Sequence, residues 1–205
     1  MQLNQNIFRA NDIRGIAYED LTQEVVQSLG KALGSEAIDR NIQEFIIGRD
    51  ARISSPEIFD WLSSGIISTG CNVIDIGIVT SPMFYHSTYE LNSSSGVVIT
   101  GSHNPGNYNG FKIVFNNHAT SSQEILNFKQ RILEGKFKEG KGISQKKDIK
   151  ESYINQILAS ITLKKSLNIS IDCGNGAAGI VAKEIYERLG LSLIHISEPT
   201  RRTII

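Results

Sequence analysis

Between residues 22 and 91 the chain alternates short apolar runs with longer segments of helical spacing, and this alternation constrains the fold more than any other feature. In TQEVVQSLGKALG (22–34), Val25, Val26, Leu29 and Leu33 recur at helical spacing, with Gly34 placed to end the helix as its C-cap. EFIIGRD (44–50) is a short apolar strand that runs into a charged turn. SSPEIFDWLSSGIISTG (54–70) sets Ser54 and Glu57 at capping-box spacing, Pro56 in the first turn, and Ile58, Trp61, Leu62 and Ile66 along one side. NVIDIGI (72–78) returns to strand and SPMFYHSTYEL (81–91) to helix. Strands that read as nearly continuous apolar runs are buried on both faces. The expected fold is therefore α/β, with a mixed, largely parallel sheet and helices on both of its faces.

Further along, SSGVVIT (94–100) and FKIVF (111–115) carry the β-branched and aromatic residues that favour strands. Phe111, Ile113 and Phe115 fall on one face and Lys112 and Val114 on the other; by itself Lys112 reads as the solvent side of an edge strand. SQEILNFKQRIL (122–133) is helical, and the lysine-rich stretch 135–150 reads as a surface connection leading to a domain boundary. Beyond it come a helix in ESYINQILASI (151–161), a strand entering a glycine loop in LNISIDCGNGAAG (167–179), and a helix in IVAKEIYERLG (180–190).

Composition narrows the class of partner. Lys plus Arg equals Asp plus Glu at 21 each in 205 residues, and this zero net charge gives no basic excess for nucleic acid. No apolar run approaches the roughly 18 residues that span a bilayer, and the start, MQLNQNIFRANDIRG, lacks the apolar core of a secretory signal. Cys71 and Cys173 lie far apart in apolar contexts and read as buried thiols, which points to a cytoplasmic location.

Between two of the strands stands TGSHNPGNYNG (100–110), whose glycines, asparagines and proline all supply turn geometry. In open parallel α/β sheets, ligands bind beyond the carboxyl ends of strands, and the polar loops at such ends here are GRDAR (48–52), TGSHNPGNYNG and DCGNG (172–176). A site gathering Arg14, Arg49, Ser102, His103 and Lys112 suits a phosphorylated substrate, because guanidinium groups grip phosphate oxygens in a planar fork and an ammonium adds a point charge. Adjacent loop residues point apart, so His103 is a poor base for Ser102, and no GxSxG elbow is present. The serine is better placed for phosphorylation than for acylation. Its neighbours Gly101 and Asn104 belong to a glycine-rich loop whose backbone N–H groups can surround a phosphate. Arg9 and Arg52 read as solvated charges, Asp50 as the partner of a neighbouring arginine, and His86 and His118 as helix and turn residues without chemistry. No zinc-ligand spacing links the histidines to the cysteines.

Four segments in order, FRANDIRG (8–15), GRDARISSPE (48–57), TGSHNPGNYNGFKIV (100–114) and IDCGNGAAG (171–179), resemble the first part of the α-D-phosphohexomutases, the phosphomannomutase/phosphoglucomutase family. The resemblance covers residues 7–190. It implies an N-terminal mutase domain over 1–150 and the first strand, loop and helix of a similar second domain over 151–190. It implies that Ser102 is a catalytic phosphoserine, that His103 contacts the substrate or the transferring phosphate, and that Lys112 and Arg14 lie close to the phosphoryl group. Arg49 resembles the family's charged loop arginine, and Arg49, Asn104 and Gly101 are expected on the substrate phosphate. The implied ligands are a hexose phosphate and a hexose 1,6-bisphosphate. The implied cofactor is Mg²⁺, bound to an oxygen of the phosphorylated Ser102 and to aspartates of the second domain.

The family's DGDGDR-type metal loop and GExSGH-type sugar loop do not occur in this sequence, so the chain alone is expected to be inactive. The alternative reading is a non-catalytic sugar-phosphate-binding module. The ending LSLIHISEPTR (191–201) resembles a translated sequencing adapter, which makes 191–205 an expected non-native tail and gives His195 and Arg201 no role; as structure the same residues could form a strand.

Overall fold

A computed structural model describes residues 3–91 and 93–195. Its contacts divide the chain into two compact units, Met1–Asp148 and Ile149–Ile205. The first unit runs β1 (Ile13–Ile16), α1 (Gln23–Asp39), β2 (Glu44–Arg49), α2 (Ser55–Ile67), β3 (Asn72–Ile78), α3 (Ser81–Glu90), β4 (Gly96–Ile99), β5 (Tyr108–Phe115), β6 (His118–Ala119), α4 (Ser122–Glu134) and β7 (Ser144–Lys146). The sheet order is β1-β5-β4-β2-β3-β7, with β6 beside β5. The stretch β4-β2-β3-β7 is parallel, and β5 runs antiparallel to both β1 and β4. This is the mixed, largely parallel α/β sheet expected from the alternation.

Alternate residues sort the two faces. Phe45, Ile47, Val73, Val97, Ile99, Phe111, Ile113 and Phe115 share one core with the apolar sides of α1, α2 and α4. Burying each such side chain is worth about 1.5–3 kcal/mol. The Phe45 and Phe115 rings lie 5.4 Å apart, and Phe115 lies 6.0 Å from Phe128 of α4. On the opposite face α3 covers the sheet, with Phe84 so close to Gly96 that a Cβ there would stand 3.0 Å from the ring. α4 begins with a capping box, Ser121 with Glu124, and ends at Gly135 in the left-handed region. It is tied to α1 by Arg40–Glu124 (2.9 Å) and by Arg131 to Glu36 (3.2 Å) and Asp39 (2.8 Å).

Several local expectations give way to tertiary structure. Gly34 does not cap α1, which continues to Asp39 and stops before Asn41 at φ +60°. Gly30 and Gly34 instead let α2 approach: a Cβ on Gly30 would stand 2.3 Å from the Leu62 carbonyl oxygen, and one on Gly34 2.4 Å from Thr69 Oγ1. Ser54 makes no capping bond to α2, because its backbone is helical (φ −76°, ψ −16°) where a capping residue is extended; its hydroxyl accepts from Asn109 Nδ2 (2.9 Å). β5 begins at Tyr108 and lies between β1 and β4, so the loop ends earlier than its composition suggests and Lys112 is not on an edge strand. The lysine-rich stretch is more than a connection, since β7 joins the sheet beside β3. Cys71 is buried as expected, and burial pushes its thiol up to about 12; Cys173 is only partly buried, and both thiols are free.

The second unit contains α5 (Lys150–Ser160), β8 (Asn168–Ile171), α6 (Ala182–Arg188) and β9 (Ser192–His195). β8 and β9 pair in parallel, as a βαβ unit must. The strand alternative for the chain end is therefore the form that 192–195 take, and Arg201 lies outside the described residues. Among the described residues, no helix is long and apolar enough to cross a membrane.

Candidate functional site

Loop 100–107 leaves the carboxyl end of β4 and returns as β5. The Thr100 N–H donates to the Gly110 carbonyl (2.9 Å), the last rung of the β4–β5 ladder, and Ser102 follows two residues later. Ser102 is in the left-handed region at φ +51°. Its N–H donates to Thr100 Oγ1 (3.0 Å), and the Asn104 backbone N–H and Nδ2 both donate to the Gly101 carbonyl (3.0 and 2.9 Å). These short-range bonds close a tight turn with Ser102 near its apex, partly exposed, and His103 exposed.

A second motif holds this turn from below. Arg52 uses all five guanidinium N–H donors: Nη1 donates to the Pro105 (2.6 Å) and Tyr108 (3.0 Å) carbonyls, Nη2 to those of Ser102 (3.0 Å) and Asn104 (2.8 Å), and Nε to Asp50 Oδ2 (3.1 Å). Asp50 also accepts from the Arg52 N–H (3.0 Å), Ser55 Oγ (2.7 Å) and the Gly101 N–H (3.2 Å). Fully buried Asn109 completes the frame, donating to Ser54 and Ser55 and accepting from the Gly110 N–H. Arg52 was expected in solvent; it is mostly buried, because a guanidinium is the one side chain that can satisfy four inward-pointing loop carbonyls at once. The expected pairing of Asp50 with a neighbouring arginine is present. The pair's purpose is not legible in the sequence, whose one signal is that GRDARISSPE and TGSHNP both belong to the ordered segments that carry the family resemblance.

Cationic groups line the neighbouring sheet face. Arg14 on β1 is in register with Gly110, and Lys112 lies two residues along β5, so both point to the face opposite Phe111 and Ile113. Arg14 pairs with Asp12 through Nη2, while its Nε is buried with no hydrogen-bond partner among the described residues. A buried donor in that state is costly unless something accepts from it, and an anion is the natural acceptor. Arg49 is placed elsewhere: its guanidinium bonds Asp75 (2.7 Å) and stacks on Phe59, 4.5 Å from the ring centroid. Arg9 is exposed, as expected.

A divalent cation needs a set of oxygen ligands around one point. Among the described residues no three His, Cys, Asp or Glu side chains cluster to hold a metal, and Asp50, which accepts from the loop's Gly101 N–H, is occupied by Arg52 as Asp12 is by Arg14. The described residues do not by themselves fit Mg²⁺.

Comparisons with known proteins identify the family. Residues 5–141 match the family described as phosphoglucomutase/phosphomannomutase, alpha/beta/alpha domain I. A phosphomannomutase/phosphoglucomutase of Pseudomonas aeruginosa is 40% identical over 192 residues, covering 94% of this chain and 42% of that protein. A phosphoglucomutase of Neisseria meningitidis serogroup B is 39% identical over 190 residues, covering 91% and 41%. A solved phosphoglucomutase/phosphomannomutase family protein from Burkholderia thailandensis superposes with a TM-score of 0.89 at 33% identity, covering 95% of this chain and 44% of that one. The chain thus spans less than half the length of the relatives it matches. On the family match, the shared fold and the ordered motifs, the chain belongs to the phosphoglucomutase/phosphomannomutase family.

Proposed function

We propose that this chain is the N-terminal, phosphoserine-bearing portion of a mutase that interconverts hexose 1-phosphate and hexose 6-phosphate. The observation that carries the reading is the placement of Ser102 at the apex of a clamped turn, beside a sheet face that presents Lys112 and the unpartnered Nε of Arg14. Family membership supports it independently.

In the proposed cycle the bond from phosphorus to Ser102 Oγ breaks as a bond forms to the free hydroxyl of a hexose monophosphate. The hydroxyl proton is lost from the sugar, and one proton is taken up at Ser102 Oγ. The resulting 1,6-bisphosphate turns round, and its other phosphate returns to Ser102 by the reverse steps. Phosphoryl transfer depends on positioning and charge, so the fixed turn sets the attack line while Arg14 and Lys112 offset the charge on the transferring group. His103, exposed beside Ser102, is open to the sugar. Gly101 and Asn104 act through the turn they close. Arg49 has no part in this scheme, because Asp75 and Phe59 hold it. Mg²⁺, when bound, would neutralise phosphoryl charge; it would take an oxygen of the phosphorylated Ser102 and carboxylates other than those described.

The test is isotopic labelling of Ser102 together with a mutase assay on the complete protein. Ser102→Ala is expected to abolish labelling by hexose 1,6-bisphosphate and to lower kcat by at least about 10³-fold. Undiminished turnover in that variant would refute the proposal. Hexose phosphate binding by the 205-residue chain, with an unlabelled Ser102 in the complete protein, would favour the binding-module alternative instead.

A further inference from the structure

Two observations couple segments that lie fifty residues apart. The first is the Arg52 guanidinium, whose donors converge on the carbonyls of Ser102, Asn104, Pro105 and Tyr108 while Asp50 fixes its Nε edge. The second is Gly101. Its φ is not in the left-handed region, so no backbone conformation demands glycine there. A Cβ at that position would stand 2.4 Å from Arg52 Cζ, 2.6 Å from Nε and 2.7 Å from Nη1. A side chain at 101 would have to displace the guanidinium that packs directly on the glycine backbone.

We infer that Arg52 is a positioning residue for the Ser102 hydroxyl, and that Gly101 is glycine in order to admit it. The inference rests on the reading of Ser102 as the phosphoryl carrier, to which it adds the device that holds the carrier still. Arg52 is a planar five-donor hub around which the loop backbone is wound. It touches the carbonyl of Ser102 itself, two bonds from the Cα that bears the side chain. A left-handed serine on a loop of glycine, asparagine and proline has no regular ladder to fix it, so this hub sets the direction of the hydroxyl. Misplacement of a reacting atom by about 1 Å costs on the order of 100-fold in rate. Lysine cannot replace the hub. Its three donors radiate from one point and cannot serve four carbonyls spread around a plane.

The experiment is amide hydrogen exchange on the 205-residue chain, comparing a peptide spanning 99–110 with a control peptide in α1. The loop amides of Gly101, Ser102, Asn104 and Tyr108 are all hydrogen-bonded, so their exchange reports the clamp. Arg52→Lys is expected to speed loop exchange at least about tenfold with α1 unchanged, and Gly101→Ala to do the same. Because both act by removing one contact, the Arg52→Ala/Gly101→Ala double variant should exchange no faster than the worse single variant. Loop protection equal to wild type in Arg52→Lys, or additive effects in the double variant, would overturn the inference. If Arg52→Ala loses α1 protection as well, Arg52→Lys and Gly101→Ala decide.

In the complete protein, Arg52→Lys should lower kcat by about 10- to 100-fold while KM stays within about threefold, the pattern of a misaligned reacting group and not of lost binding. A fall in binding alone would overturn the positioning role. Ser102→Ala separates the two proposals. If that variant turns over normally, the functional reading fails whatever the exchange data say. If it is dead while Arg52→Lys has wild-type kcat, only the present inference fails.

Discussion

The loops at 100–107 and 172–176 begin alike and are held differently. Each follows a short strand, each mixes glycine with asparagine, and each contains residues in the left-handed region, Ser102 in one, Gly174 and Asn175 in the other. The second loop is closed from within: the Gly174 N–H donates to Asp172 Oδ1 (2.8 Å) and the Gly176 N–H to the Cys173 carbonyl (2.8 Å). The first also has such internal bonds, and in addition it is held from elsewhere, by Arg52, Asp50 and the Asn109–Ser54–Ser55 frame. A Cβ added to Gly174 would meet open space, whereas one added to Gly101 would collide with a guanidinium. Similar glycine–asparagine signals thus mark a freestanding turn in one unit and a fastened one in the other. Only the fastened turn has its apex residue fixed by side chains outside the loop.

The sharpest way to break this contrast is to remove the carboxylate that accepts a glycine N–H of each loop, Asp50 for Gly101 and Asp172 for Gly174. Asp50→Ala takes an acceptor from Arg52, Ser55 and Gly101 and leaves a mostly buried guanidinium without its counter-charge. It should cost about 3–4 kcal/mol in urea unfolding followed by the fluorescence of Trp61, which lies in the same unit. Asp172→Ala removes one exposed bond and should cost about 0.5 kcal/mol or less, read by hydrogen exchange over 168–180. Equal costs would erase the distinction.

Next in size is Asn109→Ala, which strips two serine hydroxyls and a backbone N–H of their partner inside the core and should cost about 1–3 kcal/mol. Gly174→Ala sharpens the other side. Its cost is backbone strain alone, on the order of 1–2 kcal/mol locally, and an asparagine at 174 should recover part of it.

The smallest expected effect concerns the α1–α4 attachment, a control outside both loops. The Ser121 backbone N–H, and then Arg40, hold the Glu124 carboxyl below its ordinary range; Lys138, and then Arg131, lower that of Asp39. Groups depressed in the folded state contribute fully above their unfolded value of about 4, and the contribution is lost as pH falls through the folded values. The urea midpoint should therefore decline below about pH 4, and Glu124→Gln should remove its share of that slope.

Much of the architecture is legible in short windows. The apolar runs at 44–49 and 72–78 fall where β2 and β3 form, the helical stretch read at 122–133 is α4, and TGSHNP marks the site loop because its residue types admit little but a turn. The positions that misled are those decided at long range. Gly34 has a C-cap's spacing, yet its lack of a side chain is used against α2. Ser54 has a capping box's spacing, yet its backbone is helical and its hydroxyl accepts from Asn109, 55 residues later. Arg52 follows a strand in a charged turn, where a solvated cation is the ordinary outcome, and nothing within ten residues reveals the carbonyls that wait for it. Local periodicity encodes which face of an element is buried. It does not encode which remote backbone arrives there.

The left-handed dihedral at Ser102 also bears on which hydroxyl amino acid the position accepts. Threonine offers the same nucleophilic oxygen, but its branched Cβ crowds the backbone most severely where φ is positive. A change that looks chemically silent on paper would have to unwind the turn to be accommodated. At this position the choice between two alcohols is made by main-chain sterics before any phosphate arrives.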